Sequence, residues 1–408
     1  MDQKIIAVII IAILIISGIG AAALLGAGDD NDDNNPLAGE TRTDAKGREV
    51  VIPDNLDNGI VTLGSAGPLR FLSIFDMYDR VAQVDKGDVT DMKNGRAYSY
   101  AYPYDEFTTD MYHPDNALEA ATMERIGQKN PSLIIVQESV YDGYKGNCDV
   151  LAQSFTLVVI HAQSQVELWK DDFTLADWYV DNVELIGDMV GKPERAAEHI
   201  ADVNGIIADI RSLVSSPSDI STYVAGLTIQ GSNELTTTFP SYLPLMLVDG
   251  INAHGGAQDG KVDMEAEKVA TLDVDMVIID PSSSDKLGTV NSQVVMRWIY
   301  GLNNDGDPNN DIRLYITLPI IWDSVNYDCV LAGSYYMAHL LHGTISLEEA
   351  EEKAVEVFRT YYGDAGANIC DDMKEFFVGK SSNNGQVMPL LRQVNVELNG
   401  DVYRMVAA

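Results

Sequence analysis

Basic residues are scarce. Only 27 Lys and Arg stand against 62 Asp and Glu in 408 residues, a formal charge of −35 at pH 7. Nucleic-acid backbones and anionic lipid surfaces both need a cationic face, so neither is a partner expected of this chain. The imbalance reads instead as an acidic, solubility-enhancing surface. Cysteine is scarcer still. Cys148, Cys329 and Cys370 lie far apart and form no CxxC pair, which excludes the common zinc and redox motifs. Three free, buried thiols are expected. Of the six histidines, His339 and His342 sit three apart on an apolar run but lack a third metal ligand. The other four (His113, His161, His199 and His254) form no motif. No GxSxG, Walker or GxGxxG signature occurs, so no catalytic apparatus is expected and no cofactor is implied.

Hydrophobic residues make up 46% of the chain, enough for sizeable cores in two lobes. The segment Ile5–Gly28 carries no charge. At ~1.5 Å per residue it is long enough to cross a hydrocarbon core of ~30 Å. Residues 1–28 are read as a transmembrane anchor or signal segment, with the uncleaved anchor favoured. Lys4 before it and the acidic run after it place the body outside the cell. No cysteine precedes Cys148, so a lipid thioether cannot be the anchor. Residues 29–43, beginning "DDNDDNNPLAGET", read as an acidic linker rather than a calcium loop.

From about Thr43, short apolar runs alternate with amphipathic stretches. "IVTLG", "LIIVQ" and "FTLVVIHA" read as buried strands in one part, and "YVAGLTIQ", "MVIIDP" and "RLYITLP" in another. That alternation predicts parallel strands with crossover helices in two Rossmann-like α/β lobes. The expected boundaries are an N-terminal lobe over 44–166, a bridging helical segment over 167–216 and a C-terminal lobe with an extension over 217–408. Within the bridge, apolar residues recur at helical spacing from Leu175 to Ile210, and Pro193 marks a break. "MERIGQKNPSLIIVQE" from Met123 and "AEKVATLDVDMVIIDP" from Ala266 form a faint repeat, one helix–strand–loop unit per lobe. "NNDGDPNND" spaces its acidic residues like a calcium loop but lacks the closing Glu, and reads as a polar turn.

"TDAKGREVVIP", "NGIVTLGSAGPLRFLSIF", "ERIGQKNPSLIIV" and "LPIIWDSVNYDCVLAGSYYMAHLLHG", in this order and spacing, resemble the solute-binding proteins of ABC importers for iron-siderophores, haem and cobalamin. The likeness covers most of 43–362. The chain departs from the family in its anchor without a lipid cysteine, in the insert "GLNNDGDPNNDIR" and in its tail after Tyr362. The resemblance implies two α/β lobes joined by one long helix, with the ligand between them. It implies delivery of an iron-siderophore-type chelate, or of haem or a corrinoid, to a permease and its ATPase. It further implies a monomer on the extracytoplasmic face of the membrane. The runner-up from another class is a two-lobed α/β surface enzyme.

Ligands of open α/β sheets sit beyond the carboxyl ends of strands. The loop "GSAGP" follows the first strand, so Ser65, Ala66 and Gly67 are expected to offer amide groups to an anionic chelate at a helix N-terminus. Glycines needed only for a tight turn remain the alternative. Aromatic and polar candidates on other loops are Tyr102, Tyr104, Glu138, Ser139 and Tyr141 in the first lobe. Those of the second are Gln230, Gly231, Ser232, Phe239, Tyr242, Ser282, Trp322 and Tyr327. By resemblance, Glu124 and Glu267 are the residues that dock onto permease arginines. Helix N-terminal glutamates favoured by the dipole are the alternative.

Overall fold

The computed structural model describes residues 35–90, 95–114, 117–161, 168–227, 234–255, 260–322, 324–382 and 385–408. The expected anchor, Ile5–Gly28, and most of the acidic linker lie outside them. Among the described residues no helix is long and apolar enough to cross a membrane. The chain divides into two compact units. The first comprises residues up to Asp91, Pro103–Ala162 and Asp177–Ile200. The second comprises Met92–Tyr102, Gln163–Ala176 and Ala201–Ala408. The second unit therefore draws two short segments from the first half of the chain.

The first unit opens with an antiparallel hairpin, β1 (Thr41–Thr43) and β2 (Glu49–Val51). Its turn is built around Asp44, whose buried carboxylate accepts the backbone N–H groups of Lys46, Arg48 and Val159 and the guanidinium of Arg48. A parallel sheet follows: β3 (Ile60–Leu63), β4 (Val81–Asp85), β5 (Tyr112–His113), β6 (Leu133–Gln137) and β7 (Thr156–Ile160), in the spatial order β5-β4-β3-β6-β7. Residues of β3, β6 and β7 are nearly all buried, as strands covered on both faces must be. Side chains alternate across the sheet. On one face Val61, Leu63, Ile134, Val136, Leu157 and Val159 pack with Met123, Ile126, Val140 and Leu151 from the helices Ala120–Lys129, Glu138–Gly143 and Lys145–Leu151. Elsewhere in the unit the helix Pro68–Ser73 meets Asp177–Met189, with the rings of Phe71 and Tyr179 5.4 Å apart. The Tyr179 hydroxyl lies 2.8 Å from His199 Nε2.

The helical pattern read from Leu175 begins two residues later. Leu168–Ala176 forms a tight turn, closed by a Trp169–Leu175 bridge and by Asp172 accepting the Thr174 N–H. The helix Asp177–Met189 then ends at Gly191, whose φ of +73° suits glycine. Pro193 opens the helix Pro193–Ser212 at the position where its missing N–H costs nothing. This 20-residue helix carries the chain from the first unit into the second, with the boundary after Ile200.

The second unit is built on β8 (Ser221–Ala225), β10 (Ile251–Asn252), β12 (Met276–Ile279), β13 (Arg313–Ile316), β16 (Arg392–Asn399) and β17 (Val402–Ala407), in the order β10-β8-β12-β13-β16-β17. The first four are parallel and the last two antiparallel. Two small pairs, β9 (Thr237–Thr238) with β11 (Val262–Asp263) and β14 (Ile321–Trp322) with β15 (Ser324–Val325), stand apart. The faint sequence repeat marks equivalent strands: β6 and β12 each lie beside the first strand of their sheet. All three cysteines are free and buried.

The tail after Tyr362 is an integral part of this unit. Its helix Ile369–Ser382 and hairpin β16–β17 are tied to the helix Leu347–Tyr362 by Glu351, which meets Arg392 at 2.6 Å and Lys374 at 2.7 Å. The outer edge of β17 would be a template for aggregation. It is covered. The Gln293 amide donates to Tyr403 O at 3.0 Å and accepts from Tyr403 N at 2.8 Å, as a neighbouring strand would. Gln386 accepts from Met405 N, and Val387 N donates to Met405 O. Gln293→Ala, which also removes a bond to Leu287 O, is expected to lower stability by about 2–3 kcal/mol, the worth of three hydrogen bonds, and to hasten aggregation on mild heating. Light scattering beside calorimetry checks this, and unchanged values would show the cap to be incidental.

Candidate functional site

In a parallel sheet the chain reverses its direction of winding at one point, and the loops beyond the strands there form a crevice. In the first unit that point lies between β3 and β6, since β4 and β5 lie on one side and β7 on the other. In the second it lies between β8 and β12. The segments that leave these strands start at Gly64, Glu138, Gly226 and Asp280. Most residues singled out from the sequence fall on them or close by.

The 64–67 loop is shaped by a glutamine. Gln137, the last residue of β6, packs so closely that a Cβ on Gly64 would stand 2.6 Å from its Cβ, and one on Gly67 2.7 Å from Oε1. Gly64 has φ +118° and Ala66 φ +57°. The glycines therefore serve both conformation and close approach. The amides of the loop are not open. Gly64 N–H donates to Asp85, the last residue of β4, Ala66 N–H donates to Asp88 at 2.9 Å, and Gly67 N–H donates to Gly64 O. Ala66 and Gly67 are buried and Ser65 is half-buried. The expectation of free amides for an anionic chelate is thus corrected at Ala66 and Gly67: a buried carboxylate takes the first and a backbone carbonyl the second. Arg70 is buried in the helix that follows.

Asp85 also faces His113, the last residue of β5. Nδ1 of His113 lies 3.2 Å from Asp85 Oδ1 and 3.2 Å from the Pro114 carbonyl, and Nε2 lies 3.0 Å from the Thr62 carbonyl. All three partners are acceptors, so the surroundings favour the form in which both ring nitrogens donate, the imidazolium. Burial by itself lowers the His113 pKa. The hydrogen bond and charge of Asp85, helped by the two carbonyls, outweigh that and raise it above 6.5. A raised histidine pKa stabilises the fold below its ordinary value, and the contribution is lost as pH rises through the raised value. His113→Gln is expected to cost about 3 kcal/mol near pH 6, as when a buried pair is broken, and progressively less at alkaline pH. Calorimetry at pH 6 and pH 9 checks it; an equal cost at both would mean a neutral His113.

On the β6 side, Glu138 pairs with Lys46 at 2.7 Å, and Lys46 also reaches Asp142 at 2.8 Å. Tyr141 is buried, donates to Asp149 at 3.1 Å, and carries the Arg48 guanidinium 4.9 Å above its ring. These contacts staple the β1–β2 hairpin to the end of β6. Ser139 is exposed. Tyr104 is fully buried: its hydroxyl lies 3.2 Å from Ser73 Oγ and its ring packs against Tyr78 and Phe107. It is a packing residue. Tyr102 belongs to the second unit, buried against Tyr362.

In the second unit Gln230, Gly231 and Ser232 lie outside the described residues, and Trp322 falls on β14. Phe239, Tyr242, Ser282 and Tyr327 are all buried. Asp280, immediately after β12, organises this end of the sheet. One carboxylate oxygen accepts from Ser282 N at 2.9 Å and Ser282 Oγ at 2.6 Å, and the other from Ile320 N at 3.1 Å. It thereby ties the loop after β12 to the loop after β13. Burial pushes the Asp280 carboxyl up to about 6, against the pull of these donors. Asn326 Nδ2 and N donate to Pro319 O and Ile320 O, closing the same loop. Burial also raises the Tyr242 hydroxyl.

The structural roles of Asp85, Asp88, His113, Gln137 and Asp280 were not read from the sequence. The available signal was an acidic residue at the end of a buried strand, in "AQVD" and "VIID". Glu124 and Glu267 are both exposed, each on the helix leading into β6 or β12. His339 and His342 each bond a backbone carbonyl, Ile345 O and Val248 O, and form no metal pair. The 305–311 turn is closed by its own Asp side chains. Among the described residues no His, Cys, Asp and Glu are grouped to hold a metal. A cavity of about 340 Å³ in the first unit, lined by Asn35, Asp76, Arg80 and Lys192 among others, includes residues that precede β3 and β4, and so lies away from the strand-end loops.

No family model and no curated protein matches the chain. Solved structures do. A periplasmic solute-binding protein from Veillonella parvula DSM 2008 has a TM-score of 0.57 at 15% identity, over 81% of this chain and 96% of its own. MolA, the molybdate periplasmic binding protein of a Haemophilus influenzae ABC transporter, solved with molybdate, has 0.57 at 16%, over 79% and 98%. An ABC-transporter solute-binding protein from Sulfurospirillum deleyianum DSM 6946 has 0.52 at 15%, over 80% and 95%. The chain therefore has the α/β fold of the periplasmic solute-binding proteins of ABC transporters.

Proposed function

We propose that this chain is the extracytoplasmic solute-binding component of an ABC importer, a binding protein and not an enzyme. Its ligand on this reading is a metal chelate of the iron-siderophore type, with haem or a corrinoid as the alternative. The observation that carries the proposal is a run of parallel strands with a winding switch in each unit, together with one 20-residue helix that runs from one unit into the other. Similar structures with this fold bind solutes for ABC transporters. The sequence motifs resemble the branch that handles iron-siderophores, haem and cobalamin.

On this reading the apolar segment Ile5–Gly28 anchors the protein and the acidic stretch after it is a tether. In the first unit the proposed ligand contacts are Ser65, Glu138 and Ser139, the members of its candidate set that are not buried. In the second unit Gln230, Gly231, Ser232 and Trp322 remain the proposed contacts. The buried candidates Tyr104, Tyr141, Tyr242 and Tyr327 shape the walls by packing. Titrating the full chain with a ferric trihydroxamate, haem and cobalamin, by tryptophan fluorescence, tests the ligand class. Saturable one-to-one quenching at micromolar concentration or tighter by one of them, and none by iron-free trihydroxamate, is expected. No response to any of the three would remove the chelate reading.

Glu124 and Glu267 are the proposed docking residues toward the permease. Both are exposed, and they sit on equivalent helices of the two units. Glu124→Arg with Glu267→Arg is expected to abolish uptake in cells while the affinity for the ligand stays within about twofold, because surface charge steers association and contributes little to a distant site. Unchanged uptake would assign these residues to solvation alone.

A further inference from the structure

We propose that Asp85, Asp88 and Asp280 are specificity determinants that bar free tetrahedral oxyanions from the strand-end loops, leaving a neutral or cationic chelate as the ligand class. The inference rests on the solute-binding reading and goes beyond it, because that fold also serves oxyanions: MolA was solved with molybdate.

A free oxyanion at the end of a parallel sheet is held by backbone N–H groups converging on it. In the first unit the amides in that position are those of the loop after β3. Asp85 takes the Gly64 N–H, Asp88 takes the Ala66 N–H, and the Gly67 N–H closes on Gly64 O. In the second unit Asp280 takes the amides of Ser282 and Ile320, one from each of two loops. All three aspartates are completely buried. An oxyanion entering either loop would have to evict a carboxylate from its donors and leave it buried without them. It would also bring a like charge beside that carboxylate where little water screens it.

The groups facing these carboxylates differ between the units. Asp85 has the His113 cation at 3.2 Å. Around Asp280 the neighbours are the Ser282 hydroxyl and Tyr242, which carry no positive charge. The second unit is therefore the stronger barrier to an anion, and the burial that pushes Asp280 up to about 6 reports the same shortage of positive charge. The net charge of −35 acts in the same direction at long range, repelling anions and gathering cations. A large neutral or cationic chelate needs none of these amides. It is gripped by side chains and apolar surface.

Two measurements on the full chain test this. In the ligand-free protein, hydrogen exchange read on peptides spanning 63–67 and 319–321 is expected to show both loops protected, with protection at 320 falling about tenfold or more in Asp280→Asn, whose amide group is a poorer acceptor. Rapid exchange of both loops in the unmodified protein would mean open amides and would overturn the proposal. In calorimetric titrations, molybdate, sulfate and phosphate at up to about 1 mM are expected to give no saturable heat, a concentration well above the dissociation constant of any specific carrier. Saturable one-to-one binding of any of the three would overturn it as well. The ferric trihydroxamate, haem and cobalamin arms separate the two readings. If none of the chelates binds while the loops are protected and the oxyanions are rejected, the chelate reading fails and the assignment of the three aspartates stands.

Discussion

The structure depends on one recurring arrangement, a buried aspartate at the end of a strand or turn whose carboxylate accepts backbone N–H groups of a neighbouring loop. Asp44 holds the opening hairpin and the edge of β7. Asp85 and Asp88 hold the loop after β3. Asp280 holds the loops after β12 and β13. Loops beyond parallel strands carry N–H groups that the sheet cannot satisfy, and a buried polar group without a partner is costly. A carboxylate has four lone-pair sites and can close several such bonds at once, which is why one or two residues suffice for each loop.

This choice has consequences for function. Loops tied to a buried carboxylate keep their shape without a ligand, so the strand ends are organised before anything binds. The same amides are thereby satisfied within the protein. It also sets a pH dependence of unusual sign. Raised pKa values at His113 and Asp280 both mean that at these two groups the folded state holds protons more tightly than the unfolded chain does, so their contributions are lost as pH rises through those values. An acidic protein usually loses stability in the other direction, as its carboxylates protonate.

The C-terminal extension shows a second economy. Adding β16 and β17 to β13 buries the edge of the parallel sheet but creates a new one. Gln293, Gln386 and Val387 then satisfy that edge with groups already present in neighbouring segments. The extension also brings the helix Ile369–Ser382 under the Glu351 clamp, so it is part of the second unit's core and not an appendage.

Much of the framework was legible in the chain. Apolar runs such as "LIIVQ" and "MVIID" are buried strands because no other element hides every residue of so short a run, and Gly191 with Pro193 marks a helix junction by backbone geometry alone. The free cysteines, the polar 305–311 turn and the equivalence of β6 with β12 followed from spacing. The site was less legible. Burial of Tyr104, Tyr141 and Tyr242, and the occupation of the 64–67 amides, depend on partners such as Ser73, Asp149 and Asp88 that local pattern does not name. Local sequence determined which segments are strands, helices and turns, because periodicity and backbone freedom are properties of a few neighbouring residues. Tertiary structure alone decided which polar groups are spent inside the protein and which remain for a solute, because hydrogen-bond satisfaction is settled between residues that only the fold brings together.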